Sequence, residues 1–173
     1  MTLQAASTAL LMVASLALAA SLARAADPAS AVLKDKNGKE VGKAELIDTP
    51  NGVLIRLDLT GAPQGDQAFH VHEKGQCEPP DFKSAGSHFN PDGTKHGIMN
   101  PEGPHAGDMP NLHVPEGGKL SVEVLNTLVT LDGERALLDD DGSALVIHAG
   151  PDDYASDPAG HAGDRIACGV VAK

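Results

Sequence analysis

Val53-Leu54-Ile55-Arg56-Leu57-Asp58-Leu59-Thr60 alternates: Val53, Ile55, Leu57 and Leu59 fall on one side of an extended chain, Arg56, Asp58 and Thr60 on the other. A period of two belongs to a strand with one face in a core and one in water. Upstream, Asn37-Gly38 and Asn51-Gly52 bracket Glu40 to Ile47. Asn-Gly supplies the left-handed backbone of tight hairpin turns, so the segment between them reads as a neighbouring strand. Downstream, Leu120, Val122 and Val124 alternate with Ser121 and Glu123. Leu128 to Leu131 and Arg135 to Leu138 flank the turn residues Asp132-Gly133 and read as two further runs. Asp140-Asp141-Gly142 leads into Ala144-Leu145-Val146-Ile147-His148, and Ile166, Cys168 and Val170 alternate in the last run. Short strands separated by turns predict an all-β sandwich or barrel. Two stretches break the rhythm, Glu73 to Glu116 and Ala149 to Asp164, and loops of this length in a compact domain point to function.

The first 25 residues differ in kind. Ala9 to Leu22 is almost wholly Ala, Leu, Val, Ser and Met, no acid precedes Asp27, and Ala23-Arg24-Ala25 places small residues at −3 and −1 of a cleavage point. The pattern is that of an export signal over residues 1–25, leaving one domain over 26–173. Its n-region carries no Lys or Arg, yet the apolar run is short for a membrane span. The formal net charge of −11 argues against nucleic acid or an anionic membrane as partners. It leaves room for an anionic substrate, because the field inside a cleft is set by local charges and bound metals.

Six histidines and one aspartate stand at positions 70, 72, 88, 96, 105, 108 and 148. In Phe69-His70-Val71-His72 the two imidazoles share one face of an extended chain, with Phe69 and Val71 on the other. His88, His96, His105 and Asp108 follow in a Gly- and Pro-rich stretch, and His148 ends a strand-like run. Imidazole with carboxylate and no thiolate suits copper or zinc. Seven donors are too many for one ion and about right for two. Cys77 and Cys168 are read as one disulfide closing a long loop in an oxidising compartment, with thiolate metal ligands as the alternative.

Phe69-His-Val-His72, Gly86-Ser-His-Phe-Asn-Pro91, Lys95-His-Gly97, His105-Ala-Gly-Asp108, Val146-Ile-His148 and Gly163-Asp-Arg-Ile-Ala-Cys-Gly169 together resemble the copper/zinc superoxide dismutase family. The match runs in order from about Val32 to the C-terminus. His-Val-His-Glu-Lys-Gly-x-Cys, together with the leader, resembles its bacterial exported branch. The resemblance implies a Greek-key β-sandwich or flattened eight-stranded barrel with two long functional loops. It makes His70, His72, His88 and His148 ligands of a copper ion, and His88, His96, His105 and Asp108 ligands of a zinc ion, with His88 bridging. It pairs Cys77 with Cys168 and sets Arg165 beside copper. It makes Asp152 the carboxylate joining His70 to His96, with Asp153 beside it as the weaker candidate. The implied substrate is superoxide and the implied location the periplasm; the bacterial branch includes both dimers and monomers, and of the two a homodimer is expected. Copper would be reduced by one superoxide and reoxidised by a second, while the His88 imidazole takes up and returns a proton.

One departure concerns substrate steering. Eukaryotic relatives carry lysines in the loop after the last copper histidine, whereas Ala149 to Asp164 has Asp152, Asp153, Asp157 and Asp164 and no Lys. Lys83, then Lys74, are the candidates to replace them. His113 and His161 read as surface residues, though His161 stands only four residues before Arg165. The competing function is a non-catalytic copper or zinc storage protein of the cell envelope, for which Arg165 would have no use. A zinc hydrolase is a third reading, and the second complete ligand set speaks against it.

Overall fold

The alternation around Val53 becomes β3 (Gly52–Leu59), paired antiparallel with β2 (Glu40–Thr49) on one side and β7 (Leu120–Asn126) on the other. The computed structural model describes residues 27–173. The export signal and its cleavage point after Ala25 lie outside the described residues. Across the sheet, Ile55 faces Leu46 and Val124, so the apolar halves of three period-two strands fall on one face. On the outer face Arg56 reaches both Glu45 and Glu123, an exposed network that keeps that side wet.

β1 (Ala29–Asp35) pairs with β2 and with β9 (Arg165–Val170), and β9 pairs in turn with β8 (Ala144–His148). β5 (Phe69–His72) closes the row against β8. The seven-stranded sheet therefore runs β5-β8-β9-β1-β2-β3-β7, and β4 (Gly65–Gln67) with β6 (Leu112–Val114) forms a separate two-stranded sheet. The chain passes from β7 at one edge to β8 near the other, the long return that marks a Greek key. The curled sheet wraps one core of small aliphatic side chains, including Leu33, Leu46, Ile55, Leu57, Leu145 and Ile147.

Three sequence expectations change in detail. The strands number nine among the described residues: β1, β4 and β6 join the runs read from the sequence, β6 inside the stretch expected to be all loop. A 3-10 turn, η1 (Lys83–Ala85), lies in the same stretch. Leu128–Leu131 and Arg135–Leu138 form no strand; they are held by one isolated bridge, Thr130 to Ala136. Thr130 Oγ1 donates to the Glu134 carbonyl at 2.6 Å, which turns the chain back at once. Leu131 and Leu137 are then free to insert into the core, and both are fully buried.

A second small cluster packs Phe82 and Ala85 of the η1 loop against Ala144 and Val146 of β8 and against Cys168. Cys77 and Cys168 are disulfide-bonded across a sequence separation of 91 residues, which pins that loop to β9. In the chain-entropy view such a closure removes about 4 to 5 kcal/mol of freedom from the unfolded chain. The double variant Cys77→Ser, Cys168→Ser is therefore expected to lose roughly 4 kcal/mol in urea unfolding. A loss below about 1 kcal/mol would show that the loop is held by packing alone.

Candidate metal centre

β5 and β8 are buried on both faces, and alternation divides their residues between two environments. Phe69 and Val71 join Leu145 and Ile147 in the main core. His70, His72 and His148 point to the opposite face, beneath the two long loops. A register shift in β8 between Ile147 and His148 sets His148 opposite Arg165 of β9. Such irregularities re-aim side chains at functional sites. The first long loop returns along β5: Val71 N–H donates to the Gly107 carbonyl at 2.9 Å, and the Val71 carbonyl accepts Phe89 N–H at 2.9 Å. That path brings His88 beside His72 and Asp108 beside His70. Gly107 is required there, since a Cβ would overlap the Val71 carbonyl oxygen and meet Phe89 N at 3.0 Å.

Two donor sets result, His70-His72-His88-His148 and His88-His96-His105-Asp108, each with donor atoms within 4.8 Å of one another. In the first set every ring has one nitrogen committed elsewhere. His72 Nδ1 donates to the Gly86 carbonyl at 3.0 Å and His148 Nδ1 to the Gly163 carbonyl at 3.2 Å. His70 Nε2 lies 2.8 Å from Asp152 Oδ2, and His88 Nδ1 lies 2.9 Å from Asp108 Oδ1. The remaining nitrogens, His70 Nδ1 and Nε2 of His72, His88 and His148, are buried and have no hydrogen-bond partner among the described residues. Four orphaned lone pairs would cost on the order of 1 to 3 kcal/mol each if nothing filled the space between them. A metal ion satisfies all four, so the residues fit one.

The second set has the dimensions of a coordination shell. Ligands about 2.0 to 2.1 Å from a tetrahedral zinc stand about 3.3 Å apart. The Nδ1 atoms of His88, His96 and His105 lie 2.9, 3.0 and 3.4 Å from Asp108 Oδ1. His105 Nδ1 and His88 Nδ1 face each other at 3.5 Å, two nitrogens aimed at one point. Asp108 is oriented by Gly97 N–H and His105 N–H, which donate to its Oδ2 at 2.8 and 3.0 Å. His88 is common to both sets and presents a different nitrogen to each.

Electrostatics follow from burial and partners. Burial holds His88 down to about 4 against the pull of Asp108, and burial together with His70 holds His148 at about 3. Burial, His88 and Arg165 likewise hold His72 well below its ordinary value. These imidazoles are neutral at pH 7, as metal ligands must be. Burial would also lower His96, but its hydrogen bonds to Asp108 and Asp152 outweigh that and push it up to about 9. Burial would raise Asp108 and Asp152, yet hydrogen bonds from His105, His88 and His96 to the first, and from His70, His96 and Tyr154 N–H to the second, keep both ionised.

Asp152 spans the two sets, with Oδ2 on His70 Nε2 and Oδ1 on His96 Nε2 at 2.9 Å. Asp153 faces the other way and caps its own loop, accepting Ala155 and Ser156 N–H. Arg165 donates through Nη1 to the Phe82 carbonyl at 2.7 Å and through Nη2 to the Gly86 carbonyl at 2.6 Å, the same carbonyl that fixes His72. Lys83 and Arg165 line one open groove, but Lys83 is exposed and its ammonium sits 2.9 Å from Asp81. His113 and His161 are exposed and pair with Asp66 and Asp153.

Sequence reasoning missed several supports of the site. Asp157 Oδ1 accepts His96 N–H at 2.8 Å, fixing that donor residue from its backbone side. Gly160, at φ +63, leaves the space filled by Asp152, whose carboxylate a Cβ would overlap. The Asn111 side chain holds the main chain of Asp152. A positive-φ glycine is open to guessing from its neighbours, but contacts across some 40 to 60 residues leave no local pattern.

His96 must shed its extra proton to offer Nδ1 to a metal. Zinc uptake by the metal-free protein near pH 7 is therefore expected to release about one proton. Because the raised value lies near 9, zinc affinity should fall as the pH drops below it. Calorimetry in two buffers of different ionisation enthalpy measures the release, and equal heats in both would contradict the charge assigned to His96.

Comparison with known proteins agrees with this geometry. The family profile described as copper/zinc superoxide dismutase matches residues 40–171. A superoxide dismutase [Cu-Zn] of Aquifex aeolicus is 59% identical over 146 residues, covering 83% of this chain and 85% of the relative. A SOD-like protein from Bacillus subtilis superimposes with a TM-score of 0.79 at 41% identity, over 82% of this chain and 96% of that one. The Cu/Zn superoxide dismutase from Brucella abortus does so with a TM-score of 0.68 at 30% identity, over 83% and 98%. With the profile spanning most of the chain and identity this high, the chain belongs to the copper/zinc superoxide dismutase family.

Proposed function

We propose that His70, His72, His88 and His148 hold copper, that His88, His96, His105 and Asp108 hold zinc, and that Arg165 receives the substrate anion. As a family member the protein is an oxidoreductase with copper and zinc as cofactors: two superoxide ions and two protons become oxygen and hydrogen peroxide. The observation that carries the reading is the convergence of four unpartnered buried imidazole nitrogens beside Arg165. Copper held there would supply one-electron redox chemistry to the two superoxide ions. His88, His96, His105 and Asp108 would close around zinc as a structural ion.

The chain's own residues do the rest. Arg165 offers fixed positive charge and N–H donors to a small anion, and its two carbonyl contacts keep the guanidinium from swinging away. His88 Nε2 is the atom at which a proton can be held and returned, because Nδ1 of the same ring is committed on the zinc side. Asp152 keeps the rings of His70 and His96 in fixed orientation, as carboxylates behind ligating histidines do. Lys83 raises the encounter rate to the extent that Asp81 leaves its charge unbalanced.

We also read residues 1–25 as a cleaved export signal, 26–173 as the enzyme domain, and the periplasm as its location. The disulfide supports an oxidising compartment. Among the described residues no helix is long and apolar enough to cross a membrane. A homodimer and the absence of nucleic-acid and membrane partners belong to the same proposal.

The direct test is superoxide dismutation by the purified protein with copper and zinc measured on the same sample. Activity with one ion of each per chain is expected; both metals without turnover would favour storage. His148→Ala should lower dismutation by more than about 100-fold while zinc stays bound. Asp108→Ala should lose zinc and lower the melting temperature, and zinc retention with unchanged melting would contradict its assignment. Lys83→Glu should slow dismutation about twofold and weaken its salt dependence. An unchanged rate across ionic strength would leave Lys83 no part in steering.

A further inference from the structure

We propose that Asn111 is a positioning residue for Asp152, and through it for both donor sets; this rests on the ligand assignments above. Asn111 stands three residues beyond Asp108, immediately before β6. Its Nδ2 donates to the Asp152 carbonyl at 2.9 Å, and its Oδ1 accepts Asp152 N–H at 2.8 Å. One carboxamide thus takes both main-chain polar groups of a residue 41 positions away, as a neighbouring strand would. Asp152 lies in Ala149 to Asp164, which has no regular structure, so no sheet ladder fixes it.

The geometry leaves little slack. Asp152 is 3% exposed, and its two oxygens serve different rings, His70 Nε2 and His96 Nε2. Its Oδ1 also accepts Tyr154 N–H at 2.7 Å. Tyr154 in turn accepts Asn111 N–H on its hydroxyl at 2.7 Å, and its carbonyl accepts Met99 N–H at 2.9 Å. Gly160 bounds the carboxylate on another side. A main-chain shift of about 1 Å at Asp152 would stretch one of its two histidine contacts beyond hydrogen-bond range. Asn alone among the short polar side chains meets both requirements, because Asp lacks the donor, Ser cannot span both groups, and Gln carries the amide one methylene too far.

The role differs from general packing in what it touches. Asn111 meets no member of either donor set directly in these hydrogen bonds; it acts on His70 and His96 through Asp152 alone. Its loss should therefore mimic a partial loss of Asp152 at both metals at once.

The test uses the copper- and zinc-loaded protein, with two readouts: zinc transfer to a chromogenic chelator at neutral pH, and the copper(II) electron paramagnetic resonance spectrum. Asn111→Ala is expected to release zinc about tenfold faster, at the lower end of what loss of a ligand's hydrogen-bond partner causes. Its copper spectrum should move in the same direction as that of Asp152→Ala. Adding Asn111→Ala to Asp152→Ala should change neither readout further. Should Asn111→Ala fail to fold, Asn111→Asp, which keeps the acceptor for Asp152 N–H but sets a carboxylate oxygen against the Asp152 carbonyl, should show the same two changes. Wild-type zinc release and spectrum in the folded Asn111 variant, or full additivity in the double variant, would overturn the proposal and leave Asp152 in place. If Asp152→Ala itself altered neither readout, the Asp152 assignment beneath the proposal would fall instead.

Discussion

Because β5 and β8 run antiparallel in register, Phe69 lies opposite Ile147 and Val71 opposite Leu145, and these four enter the core together. The same pairing leaves His70 and His72 on the reverse face, with His148 at the end of β8. Three of the donor imidazoles are thus placed by strand geometry, whose tolerance is set by main-chain hydrogen bonds and a packed core rather than by a loop. Everything else at the site is added to that face: the η1 loop over β8, the Gly107 segment along Val71, and the 149–164 loop behind His70. A one-residue slip of β5 against β8 would turn the histidines inward and the phenylalanine out, losing core and site together.

Burying six imidazoles in one cluster is costly, and the surroundings show how the cost is offset. Each ring of the copper set has its second nitrogen held by a carbonyl or a carboxylate, which fixes the ring and leaves the other nitrogen free for an ion. Two carboxylates, Asp108 and Asp152, stand among the rings of the zinc set and supply negative charge that zinc would balance. Without an ion the compensation falls on His96, which both carboxylates contact and which is pushed up to about 9. The carboxylates therefore call for positive charge at this point, which the protonated His96 imidazole supplies and which a zinc ion would supply in the proposed site.

How far the sequence could be read follows from the range of each interaction. Val53 to Leu59 announces a strand because neighbours two apart share a face, and Asn37-Gly38 announces its turn because the turn needs a particular backbone. The seven donors stood out by type and order, and the structure gathers them in two sets sharing His88. Leu128 to Leu138 misled because apolar runs beside a turn resemble a hairpin; here Leu131 and Leu137 are core residues carried on turns. Asp152 and Asp153 are chemically alike, and only the path of the loop sends one to the histidines and the other to its own backbone. Asn111 was invisible for the same reason: its partner lies 41 residues away and is a main chain, not a side chain. Lys83 was legible as a charge, whereas its pairing with Asp81 depends on a local turn.

The proposed function turns on one histidine, His88, which is common to both donor sets and would stand between two different ions. A crystal structure of the metal-loaded protein, with anomalous data on both sides of the copper and zinc absorption edges, would locate each ion separately. A copper peak is expected among His70, His72, His88 and His148 and a zinc peak among His88, His96, His105 and Asp108, with the His88 ring between them. A single peak, or a His88 ring turned away from one of the two ions, would contradict the bridging role of His88.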